Sequence, residues 1–212
     1  TSSRPVRRRR PSGEPPPFPR EERWTRWIWT LGGVLLLGAA LNLLIRTTDV
    51  VEAADQAVLS WFAEARTAAL TDAAKLAIQL TTFAAVMTLR LATVVVLVVY
   101  RRFRHLVVFL ATLVVTDWIV VRLLVVELPR PEVPVLVEVD AYAFPSKAVS
   151  TLAITLFAMA FVLLPKGGAR NRLRAGSVAV LALVVLAELY VAGDHLSAML
   201  YAAILTPSVA DV

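Results

Sequence analysis

The sequence predicts an all-α polytopic membrane protein, with six transmembrane helices and an amphipathic helix lying along the outer face between the first two. Three observations lead there. Hydrophobic residues make up 58% of 212 positions and the mean hydropathy is +0.70, more apolar surface than a soluble domain of this size can keep from water. The apolar residues come in continuous runs near the ~20 residues a helix needs to cross a bilayer, not in the alternation of a β-barrel. The basic residues, which leave a net charge of +6, gather in a few short segments, as topology signals do.

The elements follow in order. Residues 1–22, TSSRPVRRRRPSGEPPPFPREE, are rich in Pro and Arg with little to bury, and are expected to be a disordered cytoplasmic tail ahead of a membrane domain over 23–212. The first span runs from about Trp24 to Ile45, with Trp24, Trp27 and Trp29 at the interface. Residues 47–74 place Val50, Val51, Ala54, Val58, Leu59 and Phe62 at helical spacing with the acids on the other side, which predicts an amphipathic surface helix. Further spans are expected at 76–100, 106–128, 146–164, 176–192 and 195–206. The chain starts at Thr1 and stops just after its last apolar segment, as a fragment of a longer protein would.

Arg101, Arg102 and Arg104 lie in one loop and Lys166, Arg170, Arg172 and Arg174 in another, on the same side as the basic tail. By the positive-inside rule that side is cytoplasmic. The amphipathic helix, the loop LPRPEVPVLVEVDAYAFPS and the turn AGDHLS then face outward. The absence of cysteine excludes disulfides and cysteine-based metal or redox sites, and no other metal site or cofactor is expected. The partners implied are membrane lipids, not nucleic acid. Arg in excess of Lys, with much Ala, Val and Leu, points to a GC-rich bacterial genome and hence to a bacterial plasma membrane.

The outward loops hold the chemistry. Backbone N–H groups after Pro145 and Ser146, opening the fourth span, form a natural anion site. Arg130 can reach it with a two-pronged guanidinium. His195 opens the sixth span and can serve as nucleophile or proton carrier.

These residues, in this order and on these elements, resemble the type 2 phosphatidic acid phosphatases. That resemblance implies six spans and metal-independent hydrolysis of lipid phosphates through a phosphohistidine. The family's signatures are Lys, six residues, Arg-Pro; Pro-Ser-Gly-His; and Ser-Arg, five residues, His, three residues, Asp. Here PRPEVP keeps Arg130 and Pro131, while Leu123 stands at the lysine position with Arg122 beside it. FPSKA keeps Pro145 and Ser146, but Lys147 replaces the glycine and Ala148 the histidine that protonates the leaving alcohol. ELYVAGDHLSAM keeps His195 at the nucleophile position, with Glu188 and Leu189 in place of the phosphate-binding Ser-Arg and Met199 in place of the orienting aspartate.

Phosphohistidine chemistry needs an oriented imidazole, an acid worth about 10²–10⁴-fold, and charge on the phosphoryl clamp. With acid and orienting carboxylate missing and an acid where a clamp belongs, the expected function is that of a catalytically degenerate domain. Arg130, Ser146, Lys147 and Arg122 are its expected phosphate contacts, and a lipid or polyprenyl phosphate its expected ligand. A second reading pairs Glu188 with Lys147 or Arg130 in the old phosphate position and leaves a purely structural module; either suits an accessory role in a larger, fused or associated membrane protein. The alternative is an active phosphatase with His195 as nucleophile and Arg130 as clamp. Outside these motifs, Arg90 and Asp117 fall at similar mid-bilayer depths, which predicts a buried ion pair.

Overall fold

The computed structural model describes residues 32–33, 36–44, 49–123, 126–128, 133–137, 142–165 and 167–210. The Pro- and Arg-rich tail lies outside them. Helix α1 is described over residues 36–44. Helices α2 (Val50–Glu64) and α3 (Ala68–Ile78), a 3-10 turn (Gln79–Thr81), α4 (Phe83–Val99) and α5 (Phe103–Leu123) follow. The chain then makes a two-residue antiparallel pair, β1 (Val126–Glu127) with β2 (Ala143–Phe144), in the register Val126 opposite Phe144. Helices α6 (Lys147–Leu163), α7 (Gly168–Val191) and α8 (Leu196–Ala210) complete it.

Helix α6 is the hub, packing against α4, α5, α7 and α8. Its sequence is apolar all round, as a fully enclosed helix must be. One face, with Ile154, Ala158 and Val162, meets Leu97, Phe109, Phe144 and Tyr201. Another, with Leu152, Leu156 and Phe157, meets Val86, Leu181 and Val184. Outside this core, Leu91, Val95, Val99, Val107, Val114, Leu183 and Leu186 are more than half exposed, an apolar exterior far larger than a water-soluble monomer shows.

Expected and observed elements differ in three places. The predicted surface helix over 47–74 is two helices, α2 and α3, because tertiary hydrogen bonds seize the chain between them. Arg66 donates to the carbonyls of Tyr190 (3.1 Å) and Pro134 (2.6 Å), and the Thr67 N–H donates to the Tyr190 hydroxyl at 2.5 Å. Thr67, in extended backbone, then caps α3 by accepting from Leu70 N–H. The second expected span, 76–100, is bent by 48° between α3 and α4, where Thr82 starts a new helix by accepting from Ala85 N–H. The β1–β2 pair leaves no mark in the sequence, because two residues are too few to show periodicity. Among the described helices α7 alone is by itself long and apolar enough to cross a membrane, and α3 with α4 passes the same test together.

Candidate functional site

The site is built at the end of α7. There Ala192 takes a left-handed conformation (φ +57°), its N–H bonding to Leu189 O at 3.2 Å while Gly193 N–H bonds to Glu188 O at 2.8 Å. This paired closure stops the helix and turns the chain sharply. A Cβ at position 193 would meet Glu188 Oε2, so a side chain there requires the carboxylate to move. Two residues on, His195 sits in the turn ahead of α8.

His195 is 1% exposed. Its ring meets Tyr142 edge to face at 5.6 Å, and neither ring nitrogen has a hydrogen-bond partner among the described residues. Burial lowers its pKa, partly offset by the charges of Asp55 and Glu52. Asp194 accepts from the His195 N–H at 2.8 Å. Burial, with Asp55 adding to it, pushes the Asp194 carboxyl up to about 6, against the pull of the Ser146 hydroxyl and the His195 N–H.

Ser146 caps α6, its hydroxyl accepting from Val149 N–H at 3.4 Å and its own N–H donating to Ala198 O at 3.3 Å. The start of α6 and the start of α8 are therefore joined directly, which brings the two retained motifs together. Lys147 is exposed and Ala148 half-buried. Glu188 is buried; Thr81 donates to it at 3.2 Å, and it forms no ion pair with Lys147.

Two of the substituted positions have become core. Leu189 (3% exposed) and Met199 (0%) pack in one cluster with Val149, Leu59, Ala192 and Ala202. Leu59 comes from α2, which lies over this end of the bundle. The same helix contributes a carboxylate that its periodicity hides. Asp55 is one of the acids expected on the polar side of the amphipathic helix, yet it is 4% exposed and accepts from Ser197 N–H (3.0 Å) and Ser197 Oγ (2.6 Å), capping α8. A buried acid on an otherwise regular amphipathic helix leaves no signal in the pattern.

Other expected residues fall where less is described. Arg130 lies outside the described residues. Arg122, Leu123 and Asp117 are backbone positions of α5, and their side chains lie outside the described set. Arg90 on α4 is half-buried and donates from Nε to Thr155 Oγ1 on α6 at 3.0 Å; its pairing with Asp117 therefore stands as an expectation.

No protein-family model and no curated protein matches the sequence. Among solved structures, the fold is similar to the crystal structure of a transmembrane PAP2-type phosphatidylglycerolphosphate phosphatase from Bacillus subtilis. The TM-score is 0.71 at 18% identity, covering 86% of this chain and 93% of that one. At that identity the likeness is one of architecture, but it spans nearly the whole of both chains. The α-helical bundle around α6, with its apolar exterior, thus shares the fold of a transmembrane PAP2-type phosphatase.

Proposed function

We propose that the chain is a catalytically degenerate, lipid-phosphatase-like membrane domain that holds a lipid or polyprenyl phosphate without cleaving it, as an accessory part of a larger membrane protein. In this reading it spans a bacterial plasma membrane six times, with its N-terminus cytoplasmic and α2 lying at the outer face over the site. The exposed Val50 and Trp61 of α2 suit that interface.

The observation that carries the reading is the cluster of Leu189, Met199 and Val149. By the resemblance, a phosphate-binding arginine and the aspartate that orients the nucleophile belong at positions 189 and 199. Both positions are instead buried in apolar packing, while His195 keeps two nitrogens without partners among the described residues. An imidazole without a carboxylate at position 199 to orient it, and an alanine at the acid position, lack two of the three requirements of phosphohistidine chemistry. Arg130, Lys147 and Arg122 remain as the phosphate contacts, while Ser146, buried with its N–H on Ala198 O, serves as the cap of α6.

The test is phosphate release by the full chain in detergent from a panel of lipid and polyprenyl phosphates, beside His195→Ala, with binding of phosphatidic acid against diacylglycerol measured in parallel. The expected result is no release that depends on His195, with phosphatidic acid bound in preference and that preference weakened by Arg130→Gln. Release abolished by His195→Ala would establish the alternative, an active phosphatase with His195 as nucleophile and Arg130 as clamp.

A further inference from the structure

A second feature lies at the opposite end of the bundle, where α4 turns into α5. Helix α4 ends in the same paired closure as α7: Arg101 N–H bonds to Val98 O at 2.9 Å and Arg102 N–H to Leu97 O at 2.8 Å. The closure needs a left-handed residue, and Arg101 adopts it with φ +54°. Glycine is the residue that suits this position. An arginine held there keeps a third charge beside Arg102 and Arg104 on one short turn.

Beneath the turn lies an open cavity of about 250 Å³ lined by Val96, Leu97, Tyr100, Arg102 and Leu163. Its floor is apolar and its rim carries a guanidinium, anchored because Arg102 Nη1 donates to Leu163 O at 3.3 Å. That bond occupies one nitrogen of a group with five N–H donors. No acid lies within residues 99–105 or 163–165, which hold Arg101, Arg102 and Arg104. The cavity is smaller than the ~300–1,000 Å³ of pockets that enclose a small molecule. It suits a stretch of hydrocarbon chain whose headgroup stays outside among the arginines.

We propose that this elbow is a binding site for an anionic phospholipid of the adjoining leaflet, with one acyl chain in the cavity and the phosphate on Arg102 and its neighbours. The site rests on the membrane reading of the chain and is independent of any chemistry at His195. Charge complementarity selects the occupant: Arg102, with Arg101 and Arg104 beside it in the chain, lines a cavity otherwise walled by Val96, Leu97, Tyr100 and Leu163, which an anionic lipid matches and a zwitterionic one matches less well.

The full chain in nanodiscs, with phosphatidylglycerol titrated into phosphatidylcholine, provides the test. Lipid retained after exchange into detergent is read by native mass spectrometry. Wild type is expected to retain phosphatidylglycerol over phosphatidylcholine. Arg102→Gln should lower that retention about fivefold, the loss of one surface charge's attraction. Val96→Trp, which fills the cavity and leaves every charge in place, should lower it as well, and glycerol phosphate in solution should not displace the lipid. If Arg102→Gln fails to fold, Val96→Trp still decides. Equal retention of the two lipids, retention unchanged in Val96→Trp, or displacement by glycerol phosphate would each overturn the proposal. None of these readouts depends on whether the chain releases or binds phosphate at the other end.

Discussion

At position 193 a single methyl group would run into the Glu188 carboxylate. Gly193→Ala is therefore expected to destabilise the protein by about 1–3 kcal/mol, the range for forcing extra volume into a packed site. Truncating the obstacle should undo much of that: in the double variant with Glu188→Ala, the two losses should sum to less than their separate values when thermal unfolding is followed in detergent. Strict additivity would show that the carboxylate is not what excludes a side chain there. Asp194, one residue on, has its pKa raised from 3.8 to about 6. The folded protein thus binds that proton more tightly than the unfolded chain does. The resulting stabilisation is complete below pH 3.8 and is lost as the pH rises through about 6. Unfolding of the wild type, compared with Asp194→Asn across this window, should show stability falling with pH in the first and a flatter profile in the second.

Among the elements, α2 decides how the site is covered. It is fastened by the two hydrogen bonds from Ser197 to Asp55 and by Leu59, which is fully enclosed against Leu189 and Met199. Asp55→Ala is expected to lose about 1–2 kcal/mol, as removing a helix cap does. A double-mutant cycle with Ser197→Ala should give a coupling of at least ~0.5 kcal/mol, and amide exchange in α2 should quicken ahead of that in α6. Independent effects of the two substitutions would mean that α2 is held by apolar packing alone. Helix α1 shows the same logic in its approach to α8: a Cβ at Gly38 would collide with the hydroxyl and ring of Tyr201, so the glycine sets how closely the helices cross.

For the whole molecule the deciding question is its solvent. Val114 is 69% exposed near the middle of α5. In water, exchanging it for lysine would change stability little. In a bilayer the same change should penalise insertion by about 2.5–3.5 kcal/mol, read as a drop in the membrane-integrated fraction of Val114→Lys relative to wild type. An unchanged fraction would remove Val114 from the lipid-facing surface. The same exterior explains why α6 can be apolar all round, since it is ringed by helices whose own outer faces require no water.

The sequence by itself determined the class of the molecule, through long apolar runs punctuated by arginine-rich turns, and it picked out Ser146 and His195, whose segments the fold joins through Ser146 N–H and Ala198 O. These properties are written locally: helix content follows from composition and run length, and the retained residues stand at fixed spacings in short motifs. The tertiary structure alone decided that Asp55 turns inward, that α2 and α3 part at Arg66, and that Leu189 and Met199 close into one apolar cluster. Each of these depends on a partner far along the chain: Ser197 for Asp55, Tyr190 for Arg66, Leu59 and Val149 for the cluster. A helical period records which residues are apolar on one helix, but the neighbouring helices determine which polar group is enclosed when they cross over it.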